Sequence, residues 1–168
     1  MEFRKATPED LPQLIGLYTA IYLNMREQGI YLWNEHYPAD ALPGDISAGR
    51  LHVLIGRGKI VAAFALDEDT PFADIQWSDP SAKAAILMRL GVQPESSGLG
   101  FGGRCLKYAA QTARDSGFKY LRVLVVDCNT PAERFYQKCG CAKAPGIHSQ
   151  HVEGIDGVLK EYGYEVKL

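Results

Sequence analysis

The sequence predicts one α+β domain: a mixed, mostly antiparallel sheet with helices packed against it. Three observations carry this. Short apolar runs alternate with segments of helical period across all 168 residues. Two of the runs, Leu51 to Ile55 and Ile60 to Leu66, flank Gly56-Arg57-Gly58-Lys59 and read as a hairpin. A third run, Ala84 to Val92, passes through a glycine-rich turn into a helix and on to a fourth, Tyr120 to Val126. A helical crossover of this kind makes its two strands parallel neighbours.

The elements follow in order. Glu2 to Ala6 reads as a first strand. Thr7 can cap a helix, Pro8 suits its first position, and Glu9 and Asp10 favour the positive end of its dipole. Leu11, Leu14, Ile15, Tyr18, Ile21, Tyr22 and Met25 recur at three- and four-residue steps, giving one apolar helix face that ends near Gly29. Residues 30–50, with Trp33, Tyr37, Pro38, Pro43 and Gly44, read as a short or broken helical segment carrying exposed aromatics. Asp67 to Pro71 is a polar turn, and 72–82 is a loop containing Trp77. Phe101, Cys105, Tyr108, Ala109, Thr112 and Ala113 mark the crossover helix, which Gly117 closes. Thr130-Pro131-Ala132-Glu133 reads as a capping box opening a short helix that Gly140 ends. Leu159 to Leu168 forms a final strand. Neither a repeat nor a linker breaks the chain, so a single domain over 1–168 is expected.

Composition narrows the function classes. The formal net charge is −2 and 46% of residues are hydrophobic, which excludes both a strongly basic nucleic-acid binder and a disordered chain. No apolar run approaches the roughly 18 residues of a membrane span. Met1 to Lys5 lacks the apolar stretch of a signal peptide, so a cytoplasmic protein with no membrane partner is expected. Cys105, Cys128, Cys139 and Cys141 have no metal-site spacing and are expected to be reduced thiols, with no metal bound.

Glycine is the outlier. It supplies seventeen residues, against a usual share of ~7%. Four of them, Gly98, Gly100, Gly102 and Gly103, sit where a strand turns into a helix. Glycine lets backbone approach a ligand closely, and the first amides of a helix have no intrahelical acceptor, so the junction suits a phosphate. A Walker loop would need Lys followed by Ser or Thr, which is missing. A dinucleotide fingerprint fits the spacing, but it belongs after a first strand and this is the fourth.

A third reading fits more of the chain. Leu90-Gly91-Val92-Gln93-Pro94-Glu95, Ser97-Gly98-Leu99-Gly100-Phe101-Gly102, Asn129-Thr130-Pro131-Ala132 and Phe135-Tyr136-Gln137-Lys138-Cys139-Gly140 follow one another within about fifty residues. Together they resemble the GCN5-related N-acetyltransferase (GNAT) family. That resemblance implies a three-layer α/β/α fold with a splayed parallel strand pair, acetyl-CoA as co-substrate, and direct acetyl transfer to a primary amine of a small molecule or peptide. It implies that Leu90, Gly91 and Val92 hold the pantetheine arm like an added strand and polarise the thioester carbonyl. Ser97, Gly98, Leu99, Gly100, Phe101, Gly102 and Gly103 would hold the pyrophosphate, Asn129 would touch the arm, and Tyr136 would protonate the departing sulfur. Ser97 stands where the family has Arg or Gln, which motivates weaker coenzyme affinity.

The acceptor side is less legible. Some relatives carry a Glu as general base where this chain has Leu124, leaving Glu68 and Asp127 as candidates, each equally readable as a solvated surface acid. Trp33, Tyr37 and Trp77 can wall an amine site or belong to the core or to a homodimer surface. His148 and His151, in the segment 146–157, can line the acceptor site. Two other classes stand beside the enzyme: an acyl-CoA-binding or sensor protein without turnover, and a nucleotide-binding oxidoreductase.

Overall fold

The computed structural model describes residues 1–69, 72–151 and 158–168. The polar turn expected at 67–71 and the 146–157 segment therefore lie partly outside the described residues. The chain divides into two compact units, Met1–Asp67 with Leu87–Ala110, and Glu68–Ile86 with Gln111–Leu168.

The first unit contains β1 (Glu2–Lys5), α1 (Leu11–Glu27), α2 (Leu42–Ser47), β2 (Leu51–Gly56), nearly all of β3 (Lys59–Glu68), the greater part of β4 (Ala84–Val92) and the first two thirds of α3 (Phe101–Asp115). β1, β2 and β3 form an antiparallel meander with Phe3 opposite Leu54 and Val53 opposite Ala63. Alternation in β2 and β3 builds two apolar faces. Leu51, Val53, Ala63 and Ala65 pack with Leu14, Leu17, Tyr18, Ile21 and Leu42 of the first two helices. His52 and Phe64 point the other way and stack at 5.2 Å, with Tyr108 of α3 edge-on to both and stacked on Phe3 at 4.3 Å. Helices thus cover both faces, as the expected three layers require.

Two details of α1 differ from the sequence reading. Asp10 and Pro8 lie in a separate 3-10 turn, where the Asp10 carboxylate accepts from the Thr7 amide at 2.8 Å and from Arg4 at 2.6 Å and 2.8 Å. The buried face also runs through Leu17, while Ile15 is exposed. The stripe drawn from Leu11 passes from Leu14 and Ile15 to Tyr18 and so omits Leu17, the i+3 partner of Leu14.

The second unit contains the start of β4, β5 (Tyr120–Val126), α4 (Thr130–Lys138), β6 (Ala142–Lys143), β7 (His148–His151) and β8 (Val158–Lys167). β4 and β5 are parallel, as the crossover demands, with Ala84, Ala85 and Ile86 opposite Tyr120, Leu121 and Arg122. β5 is antiparallel to β8 along its whole length, from Tyr120 opposite Lys167 to Val126 opposite Glu161. The short strands β6 and β7 both pair with β8. Neither was legible, since Ala142-Lys143 and His148-Ser149-Gln150-His151 carry no apolar alternation. α4 opens one residue earlier than expected: its cap is Asn129, whose Oδ1 accepts from the Ala132 amide at 3.2 Å, not Thr130. The sheet is therefore mixed and mostly antiparallel with one parallel pair.

All four cysteines are reduced thiols, with Cys105 and Cys141 buried. No helix among the described residues is long and apolar enough to cross a membrane.

Candidate functional site

In the first unit, β4 ends at Val92, and a 3-10 turn over Pro94–Ser96 leads into the glycine loop. Gly98 and Gly100 have φ of +77° and +78°, a region that L side chains rarely adopt. The loop they shape ends at Phe101, where α3 starts. Its first described ladder bond runs from the Arg104 amide to the Gly100 carbonyl at 3.1 Å. The amides of Phe101, Gly102 and Gly103 precede that bond and have no helical carbonyl to donate to. A Cβ at Gly98, Gly100 or Gly103 would meet nothing within 4 Å. Packing therefore does not require glycine there; conformation does at the first two, and open backbone remains at the third. Ser97 is exposed and its amide is tied to the Pro94 carbonyl at 3.0 Å. Leu99, at the tip, is 65% exposed.

Gly91 is glycine for a different reason. A Cβ there would lie 2.6 Å from Ile21 and 3.2 Å from Tyr18, so α1 packs directly on the strand backbone. Just before it, Arg89 has φ +53° in mid-strand, where a non-glycine residue is uncommon. The Tyr18 hydroxyl donates to the Arg89 carbonyl at 2.7 Å and holds this turn of the backbone. Burial pushes the Tyr18 hydroxyl well above the ordinary phenol range, so it stays a donor. The Arg89 guanidinium reaches the Asp45 carboxylate and donates to the Tyr37 hydroxyl at 3.3 Å. Trp33 stands edge-on to Tyr18 at 5.6 Å and to Tyr37 at 6.5 Å. The structure thus gathers Trp33 and Tyr37 around the irregular stretch of β4, together with Tyr18, Asp45 and Arg89. Sequence reasoning missed these last three. The available signal was an arginine inside the otherwise apolar run Ala84 to Val92. A depression of about 490 Å³, lined by Gln13, Arg57, Lys59, Gln93 and Ser96 among others, borders the turn before the loop and contains none of the loop glycines.

In the second unit, Asn129 uses its carboxamide oxygen to cap α4, leaving its amide hydrogens as donors. Tyr136 is buried, with its ring 5.0 Å from Phe135 and 6.4 Å from Tyr164. Tyr164 donates to Glu133 at 2.7 Å. Asp127 is exposed just past β5. Glu68 is exposed and stands 3.8 Å from Lys83. Trp77 is buried, with Arg122 at 4.6 Å from its ring centroid; its face is occupied by that cation. His148 lies on β7 against Phe72 at 4.7 Å, while His151 is exposed at the far end of the same strand. Among the described residues no group of three or more His, Cys, Asp or Glu side chains is placed to hold a metal.

A strand with an irregular end, a glycine turn and a helix start whose first amides lack helical acceptors is the anatomy of an anion-binding junction. Residues 16–141 match the model of the acetyltransferase (GNAT) family, and the chain belongs to that family. A search of curated proteins gives no match. Among solved structures, an acetyltransferase of the GNAT family from Streptococcus agalactiae superposes with a TM-score of 0.81 at 16% identity, covering 99% of this chain and 95% of that one. The yncA acetyltransferase of Salmonella typhimurium, solved with its cofactor acetyl-CoA, gives 0.71 at 16% identity, covering 99% and 93%. The paia N-acetyltransferase of Thermoplasma acidophilum, in complex with coenzyme A, gives 0.70 at 20% identity, covering 99% and 98%. At these identities the likeness is one of fold.

Proposed function

We propose that the protein transfers an acetyl group from acetyl-CoA to a primary amine of a small molecule or peptide. The observation that carries this is the loop Ser97 to Gly103. Two glycines at positive φ deliver the chain to a helix start whose first amides lack helical acceptors, in a chain of the acetyltransferase family. Such a junction suits a diphosphate, and bound coenzyme in two of the similar structures supports the same ligand.

The roles divide by residue. The loop of Gly98, Leu99 and Gly100 and the amides of Phe101, Gly102 and Gly103 receive the diphosphate, with Ser97 at the head of the loop. The backbone of Leu90, Gly91 and Val92 pairs with the pantetheine amides and offers an N–H to the thioester carbonyl, where charge develops during transfer. The turned backbone at Arg89 supports this, because a residue at positive φ breaks the pleat just before Leu90. Asn129 donates its remaining amide hydrogens to the arm. Tyr136 gives its hydroxyl proton to the leaving thiolate. Tyr37, exposed beside Trp33, belongs to the acceptor side; Trp77 shapes the fold through Arg122.

The test is thiol release from acetyl-CoA against a panel of amino acids, polyamines, aminoglycosides and peptide N-termini. Turnover on at least one amine, reduced in Tyr136→Phe with coenzyme binding intact, is expected. Tight coenzyme binding without turnover on any of them would favour a non-catalytic acyl-CoA-binding protein. Ser97→Arg should tighten coenzyme binding; unchanged affinity would remove Ser97 from the account.

A further inference from the structure

The depression beside the β2–β3 hairpin has no part in acetyl transfer as proposed. Its volume of about 490 Å³ is that of a small-molecule site. α1 contributes Gln13 and Leu17, the hairpin contributes Arg57, Lys59 and Ile60, and the turn after β4 contributes Ser96. All of them belong to the first unit. Among the described residues no Asp or Glu lines it, so its polar wall consists of two cations, carboxamides and a hydroxyl. The floor is apolar, since Leu17 and Ile60 are both buried.

The hairpin tip explains the two cations. Gly56 and Lys59 face each other across the ladder, leaving Arg57 and Gly58 as a two-residue loop. Both have positive φ, +51° and +75°. This is the type I′ pattern, whose first central position suits Asn, Asp or Gly, the residues that tolerate the left-handed region. Arginine gains nothing there from backbone conformation. What it brings is a guanidinium, and an outlier of this kind points to the side chain. The described ion pairs engage Arg4, Arg26, Arg50, Arg89 and Arg122, together with Lys83 and Lys143. Arg57 and Lys59 are in none of them, and both are exposed. Like charges at one hairpin tip repel, and an anion shared between them relieves that repulsion.

The neutral donors are held in place as well. The β2–β3 register shifts between Leu54 and Ile55, and the Ile60 amide donates to Gln13 Oε1 at 3.2 Å. That contact ties the carboxamide to the hairpin and leaves its NH2 group to donate elsewhere. Ser96 lies in a turn that is itself pinned: its amide donates to the Gln93 carbonyl at 2.8 Å, and the Gln93 amide to the Val61 carbonyl at 2.9 Å.

We propose that this depression binds a small organic anion, a phosphate or carboxylate carried on an apolar body, at a site apart from the glycine loop. Arg57 and Lys59 take the anionic group by charge-assisted hydrogen bonds. Gln13 and Ser96 supply neutral donors, and Leu17 and Ile60 cover the apolar part. The ligand is not the acceptor, because a wall of cations repels an ammonium.

The test is an NMR titration of isotope-labelled protein with phenyl phosphate and, separately, inorganic phosphate, each with and without saturating acetyl-CoA. Phenyl phosphate should shift the Gln13 carboxamide and the amides of Arg57, Gly58, Lys59 and Ser96 saturably in both conditions. It should bind about 5-fold or more tighter than inorganic phosphate. Arg57→Asn places a residue suited to the left-handed turn and so preserves the fold; it should raise the Kd about 10-fold or more. Lys59→Gln should raise it about 3-fold or more. Turnover plays no part in this readout, so the site stands or falls apart from acetyl transfer. Loss of the shifts when acetyl-CoA is present gives the depression to the coenzyme and overturns the proposal. Equal affinity in Arg57→Asn marks an adventitious ion only and overturns it too. Equal affinity for the two phosphates, or no saturable shift at the hairpin, has the same result.

Discussion

Each unit buries an arginine–carboxylate network, and the two are inverted. In the first, one carboxylate, Asp45, lies between two arginines, Arg89 and Arg50. In the second, one arginine, Arg122, lies between two carboxylates, Asp69 at 2.9 Å and Glu165 at 3.4 Å. Arg122 also donates to the Asp79 carbonyl at 2.7 Å and rests under Trp77. Its three ionic members have side chains at most 4% exposed, so solvent supplies none of its charge balance. The Asp45 network leads outward instead, through Arg50 and on to Asp67, side chains that are 37% and 40% exposed. A sealed network depends on every member being present. One that reaches water can lose an outer member cheaply.

Four substitutions or titrations probe that difference, in falling order of effect. Arg122→Met leaves two buried carboxylates without a cation and should cost about 3–5 kcal/mol by urea denaturation. A loss below about 1 kcal/mol would mean the network is not sealed. Next comes His52, a buried basic group whose Nδ1 has no hydrogen-bond partner among the described residues. Burial, aided by the charge of Lys5, lowers its pKa to about 4, against about 6.5 unfolded. The unfolded chain thus binds the proton more readily. The stability His52 contributes is complete above about pH 6.5 and is lost as pH falls through 4, by about 2–4 kcal/mol. His52→Phe should flatten that part of the stability–pH curve; an unchanged curve assigns the loss to carboxylates. Asp45→Asn removes the shared anion and should cost about 1.5–3 kcal/mol, with amine turnover disturbed more than coenzyme binding. Arg50→Ala, at the wet end, should cost about 1 kcal/mol or less; a larger loss would make the two networks alike.

What the sequence revealed, and what it hid, follows the same divide. Local chemistry was readable. The hairpin, the crossover and the glycine loop are each encoded by consecutive residues, and the parallel β4–β5 pair followed from chain connectivity. The strained Arg89 was hidden because its conformation is held from α1, by Tyr18, seventy-one residues away. Thr130 reads locally as the cap of α4, yet the cap is Asn129, one residue earlier, through its Oδ1. The pairing of His148 with Glu161 was invisible for a related reason. β7 has no period-two apolar signal, and only its register on β8 brings His148 opposite Glu161. Long-range pairing between polar segments leaves no mark in either segment alone.

The contact between α1 and Gly91 has a further consequence. A Cβ there would lie 2.6 Å from Ile21 and 3.2 Å from Tyr18, so any side chain would wedge the helix off the strand. The Tyr18 hydroxyl would then be drawn away from the Arg89 carbonyl, and the turned backbone before Leu90 would lose its anchor. Hydrogen exchange reads this directly: in Gly91→Ala the amides of 89–92 should exchange faster than in wild type.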